Sequence, residues 1–203
     1  GVNNYIEDIV WDGSGNVYVG GFFTEAGGES ANYVAKWDGS AWSALGTGTN
    51  GVVYVMALDG AGNLYVGGNF TTAGGMTTNY IAKWDGSSWS SLGSGVNNKV
   101  WGLAFDNEGN LYAGGWFSSA GGVSASRIAK WDGSSWSPLG SGVTGGNEIR
   151  ALSFDGANNL YVGGDFTAAG GKPAHNLARW YIPSKTPTPS VTPTPDDYKT
   201  PIP

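Results

Sequence analysis

The sequence predicts an all-β protein: a β-propeller-type array of four four-stranded units of roughly 47 residues, the last missing its outer strand, followed by an extended Pro/Thr tail. Three observations predict it. Trp37, Trp84, Trp131 and Trp180 recur at intervals of 47, 47 and 49 residues, each preceded by Ala-Lys or Ala-Arg, so one supersecondary unit has been copied along the chain. Only 13% of the 203 residues are charged while Gly numbers 36 and Trp 10, a profile of short strands and tight turns rather than Lys/Glu-rich helices. The copying then stops: the Asp-Gly-Ser-Ser-Trp of residues 85–89 and 132–136 is replaced after Trp180 by a Thr/Pro run.

The second copy justifies the elements in order. Val53 to Asp59 is a β-branched and apolar run, a first strand ending in the turn cluster Asp59-Gly60-Ala61-Gly62-Asn63. Leu64 to Gly68 is a second strand, closed by Phe70-Thr71-Thr72-Ala73-Gly74-Gly75, whose paired glycines accept positive φ. Asn79 to Trp84 reads as the third strand, Asp85-Gly86 as a two-residue hairpin signal, and Ser88 to Leu92 as the fourth strand. Four antiparallel strands per unit place the boundaries near 1–51, 52–98, 99–146 and 147–182, with a tail at 183–203. The tryptophans serve as wedges between units, each burying about 150–250 Å². Gly1-Val2-Asn3-Asn4 matches Gly95-Val96-Asn97-Asn98, so the chain is expected to begin at the end of a unit; with Gly1 in place of Met, a processed form or a segment of a longer chain is expected.

Leu64-Tyr65-Val66-Gly67-Gly68 followed by Tyr80, Trp84 and Trp89 resembles the Kelch pattern of a strand ending in a glycine pair before spaced aromatic positions. The string Tyr-Val-Gly-Gly, Phe-Thr-x-Ala-Gly-Gly and Ile-Ala-Lys-Trp-Asp-Gly-Ser-Ser-Trp more closely resembles the tandem propeller repeats of large bacterial surface and secreted proteins. That resemblance spans residues 1 to about 181. It implies a propeller fold and a surface setting, and leaves function open, since one fold hosts many functions.

Composition excludes several classes. A net charge of −6 without a basic cluster argues against nucleic acid and anionic membrane surfaces as partners, and no apolar run approaches a membrane span. The absence of cysteine excludes disulfides, thiolate metal sites and Cys nucleophiles. One histidine, His175, in the column of Asn32, Asn79 and Ser126, cannot assemble a His-rich metal centre or a Ser-His-Asp set. No enzymatic activity, cofactor or metal is therefore expected. Asp12, Asp59, Asp106 and Asp155 recur at the first turn, and Asp38, Asp85 and Asp132 at the last, which favours backbone capping over calcium. Asn69-Phe70-Thr71 is an N-glycosylation sequon found in one copy only.

Columns in which the copies differ are the candidates for function, because the shared scaffold does not require that variation. One holds Glu7, Tyr54, Trp101 and Arg150; a second holds Phe22, Asn69, Trp116 and Asp165; a third holds Glu29, Met76, Val123 and Lys172. Tyr54, Trp101 and Trp116 are the candidate partner or glycan contacts, by stacking.

The segment after Pro183 reads as polyproline II with hydroxyls spaced for O-glycosylation at Thr186, Thr188, Ser190, Thr192 and Thr194. Tyr198 and Ile202 are candidate inter-subunit anchors. The outer strand missing from the fourth unit leaves an edge that templates strand addition. The expectation is a non-enzymatic extracellular structural protein, a subunit of a head-to-tail homopolymeric filament with the tail as connector. The alternative is a carbohydrate-binding propeller on a glycosylated stalk.

Overall fold

The computed structural model describes residues 1–183. Among them the chain forms successive antiparallel blades and no helix. In the second blade the strand Val53–Leu58 pairs with Leu64–Gly68, which pairs with Ile81–Trp84, which pairs with the outer strand Trp89–Ser91. The first blade repeats this with Ile6–Trp11, Val17–Gly21, Val34–Trp37 and Trp42–Ala44, and the third with Val100–Phe105, Leu111–Gly115, Ile128–Trp131 and Trp136–Pro138. The fourth has three strands among the described residues, Glu148–Phe154, Asn159–Asp165 and Leu177–Tyr181; the place of an outer strand falls outside them. First strands of neighbouring blades lie against one another, so they form the inner wall of the arc.

The third strand begins two residues later than its apolar pattern implies. Asn79 and Tyr80 have φ of 49° and 69°, and the Tyr80 column keeps this left-handed geometry in every blade, at Tyr33, Arg127 and Asn176. The Asp85-Gly86 turn also differs from the two-residue reading: Trp84 pairs with Trp89, leaving a four-residue loop. Asp85 fixes that loop by accepting the Ser87 and Ser88 N–H groups at 2.8 Å, and this side-chain cap substitutes for a tight two-residue turn.

Between the second and third strands each blade carries a small hairpin, such as Thr72–Ala73 with Met76–Thr77. Its edge is joined by the segment leading out of the preceding unit, Thr49 opposite Ala73 and Val96 opposite Ala120. Val2 does the same opposite Ala26, and the Gly1 carbonyl accepts the Gly27 N–H. Residues 1–4 therefore hold toward the first blade's hairpin the place that the segments around Thr49 and Val96 hold toward the next two.

The core lies between blades. Tyr18, Val34 and Leu45 of the first blade bury Val53, Met56 and Leu64 of the second. Tyr65, Ile81 and Leu92 do the same to Val100, Leu103 and Leu111, and Tyr112 and Ile128 to Ile149 and Leu160. Tryptophans lock these junctions: the indole N–H of Trp89 donates to the Leu45 carbonyl and that of Trp136 to the Leu92 carbonyl, each at 2.7 Å. Within each blade they also pair across strands, Trp84 with Trp89 at 5.3 Å and Trp131 with Trp136 at 5.5 Å between ring centroids.

The turn aspartates set the acid response. Asp38 is held down to about 2 by the Ala41 N–H and the Ser40 hydroxyl and N–H, and Asp85 and Asp132 lower still by their serine loops. Asp12 is lowered chiefly by the Asn16 amide and Asp155 by the Asn159 N–H. A carboxyl whose folded pKa is depressed stabilises the fold fully above the unfolded value and loses that contribution as pH falls through the folded one. Asp8 opposes this, because burial raises its pKa. With five depressed groups against one raised, the urea midpoint is expected to be level from about pH 7 to 5 and to fall between about pH 4 and 2. Replacing Asp85 and Asp132 by Asn should flatten that fall in a urea titration at each pH.

Candidate functional site

The first divergent column converges on the inner wall. Tyr54 and Trp101, on adjacent inner strands, stack at 4.1 Å with an 8° tilt. Phe22 lies 6.2 Å from Tyr54, and the Arg150 guanidinium lies 5.6 Å over Trp101 while pairing with Glu148. Burial, and then the Glu7 charge, push the Tyr54 phenol up. The column is thus one pile running from Glu7 on the first blade to Arg150 on the fourth. Its aromatic faces are largely taken up by each other, and the Trp101 indole N–H is buried without a partner among the described residues.

Trp116 stands apart, exposed on one side with the Lys99 ammonium 5.9 Å over its ring. Met76 and Val123 sit in the small hairpins, which pack on the outer strands, so the third divergent column is separate from the inner pile. His175 is exposed at the corner leading into the last strand. Asp59 and Asp106 bond Asn63 and Asn110 through both N–H and side-chain amide, as turn caps do. Thr186, Thr188, Ser190, Thr192, Thr194, Tyr198 and Ile202 lie outside the described residues.

Sequence reasoning missed the two ends of the arc. On the first inner strand Ile6 is 40%, Ile9 58% and Trp11 66% exposed, whereas Val53 and Met56, which match Ile6 and Ile9 in the next blade, are 0% and 4% exposed. On the fourth blade Leu177 is 64% exposed, whereas Ile81 and Ile128 at the same place are fully buried. Each internal junction buries one leading and one trailing face; among the described residues no blade covers the leading face of the first blade or the trailing face of the fourth. The signal was present only as apolar residues at the terminal copies of core columns.

Blades of this build, stacked face to face around an inner wall, define a β-propeller repeat protein. The chain belongs to the family described as the Rax2 C-terminal beta propeller domain, whose model matches residues 1–153. It is similar to the extracellular domain of the putative one component system BT4673 from B. thetaiotaomicron, at 14% identity and a TM-score of 0.55, over 87% of this chain and 21% of that one. It is similar also to the WD40 beta propeller domain of Doa1, at 13% identity and a TM-score of 0.54, over 87% of this chain and 50% of that one. Both likenesses are of fold, and the chain spans half or less of either structure's length. No curated protein sequence matches it. No helix among the described residues is long and apolar enough to cross a membrane.

Proposed function

We propose that this chain is a non-enzymatic structural module of the extracellular space or cell surface that works by joining to copies of itself head to tail. The observation that carries the reading is the pair of unlike faces that no other described residue covers, leading at Ile9 and trailing at Leu177, each the counterpart of a face that internal junctions bury. Contiguous apolar surface of this kind marks an interaction site, and two different patches on one molecule join heterologously. The family and the extracellular neighbour support the surface setting. In this reading the Pro/Thr tail carries O-glycans and spaces or connects the modules, with Tyr198 and Ile202 as anchors.

Light scattering and electron microscopy of the full chain beside one ending at Ile182 test the reading. Assemblies in both place the joint on the blades, and assemblies in the full chain alone place it on the tail. Monomers in both, at all concentrations, overturn head-to-tail joining and leave carbohydrate binding through Trp116 as the alternative.

A further inference from the structure

We propose that the chain carries two equivalent sites, each for one neutral sugar ring, at the junction of the first and second blades and again at that of the second and third. Sugar binding here does not depend on how copies of the chain join. A cavity of about 330 Å³ lies between the first blade and the second blade's small hairpin, and one of about 340 Å³ between the second blade and the third blade's hairpin. Each residue lining the first has its counterpart 47 positions on in the second. Asn32 and Tyr33 answer to Asn79 and Tyr80, Asn50 to Asn97, and the hydroxyls of Thr47 and Thr72 to those of Ser94 and Ser119. The one change of kind, Thr49 to Val96, removes a hydroxyl that already donates to the Gly51 carbonyl.

The walls select the ligand. No Asp, Glu, Lys, Arg or His lines either cavity, so neither holds the counter-charge that an ionic ligand needs. A purely apolar ligand would strip water from amides and hydroxyls without replacing its bonds. The Asn32 and Asn79 side chains are fixed by their amide N–H groups, which donate to the Thr47 carbonyl at 3.1 Å and the Ser94 carbonyl at 3.0 Å. Their Oδ1 atoms accept no bond from a described residue and can receive a ligand hydroxyl. Tyr33 and Tyr80 are half-buried against the inter-blade core and add an aromatic ring and a phenol to the wall. Amide oxygen, hydroxyls and an aromatic ring around a volume at the small end of ligand sites suit a pyranose, with hydroxyls at its rim and C–H groups on its faces.

The third junction separates these side chains from the needs of the fold. There Gly142 and Gly171 keep the glycines that line the other two cavities, with φ again positive, and Arg127 keeps the left-handed backbone of Tyr33 and Tyr80. Yet Ser126, Arg127, Thr144 and Ala168 stand where the second site has Asn79, Tyr80, Asn97 and Ser119. Arg127 spends its guanidinium within the protein, donating from Nε to the Asn147 carbonyl at 2.8 Å. The same backbone thus carries a sugar-type wall twice and a self-bonded arginine once.

That third copy supplies the variant. Asn32→Ser, Tyr33→Arg, Asn79→Ser and Tyr80→Arg together give both sites residues that the third unit already holds on this backbone. Saturation-transfer-difference NMR of the full chain uses the methyl glycosides of glucose, galactose, mannose and N-acetylglucosamine, with N-acetylneuraminate as the anionic comparison. At least one neutral glycoside should bind. The quadruple variant, matched to the parent by circular dichroism and melting, should bind it at least about tenfold more weakly. Either pair of substitutions alone should halve the sites counted by calorimetry. If the quadruple variant misfolds, Tyr33→Asn/Tyr80→Asn replaces it, since Asn176 occupies this column in the fourth blade with φ of 63°. No binding by the parent at millimolar glycoside overturns the sites, as does binding of N-acetylneuraminate alone or undiminished binding in the variants. Binding that is lost in Trp116→Ala and kept in these variants moves the ligand to Trp116 and overturns them as well.

Discussion

Replacing Trp136 by Ala is expected to destabilise the protein by about 3–5 kcal/mol, the range for removing a large buried aromatic. Trp136 is 7% exposed, packs against Trp131 and over Gly121, and donates its indole N–H to the Leu92 carbonyl of the preceding blade. Its loss opens a cavity at a junction and strips the carbonyl of its partner, which adds about 1–3 kcal/mol if the group stays dry. Against a total of about 5–15 kcal/mol this approaches unfolding. Trp42 provides the control: among the described residues it is only half-buried, no carbonyl of a neighbouring blade faces it as Leu92 faces Trp136, and its indole N–H has no bonded partner. Trp42→Ala should cost clearly less. Urea denaturation followed by far-ultraviolet circular dichroism measures both; equal shifts would show that the inter-blade bond and its packing contribute nothing special.

Gly115→Ala is expected to cost about 3 kcal/mol or more although it adds a single carbon, at the upper end of overpacking costs. A Cβ there would run into the Lys99 carbonyl oxygen and approach Val100 Cα to 3.0 Å, so the obstacle is backbone on the paired inner strand. That strand is already irregular between Val100 and Gly102, where the register shifts. Neither strand can yield without opening the ladder that holds Trp101 against Tyr54. The second glycine of the pair is therefore required for close approach; its φ is not positive. Gly75→Ala makes the comparison, since a Cβ meets nothing within 4 Å and only its φ of 81° is unfavourable, costing about 1–2 kcal/mol. Thermal melts of the two variants separate steric collision from backbone strain, and a larger loss for Gly75→Ala would refute the close-approach account.

Much of the blade was legible. The 47-residue spacing of Trp37, Trp84 and Trp131 located equivalent strands, because a copied unit must bury the same columns each time. The repeated Asp–Asn turns appeared where they were read, since a short carboxylate captures N–H groups two and four residues on without tertiary help. Reading divergent columns as candidates placed Tyr54 and Trp101 side by side, and periodicity alone implies that much: equivalent positions on neighbouring inner strands are neighbours. The start of the third strand at Ile81 was less legible, because an apolar Tyr80 carries no mark of its left-handed backbone, set by hydrogen bonds to Phe70 and Gly68.

The sequence by itself determined the unit: its period, strands and turn caps, and which columns form the core, because those follow from local alternation and from turn residues with particular backbone preferences. Only the tertiary structure decided which members of the core columns are covered. Ile6, Ile9 and Leu177 read like Val53, Met56 and Ile128, yet burial depends on whether another blade stands opposite, a property of position in the arc that no residue encodes alone. The same holds for Gly163, an ordinary repeat glycine in the chain, against which no inner-strand side chain of a following blade stands among the described residues, unlike Gly20, Gly67 and Gly114.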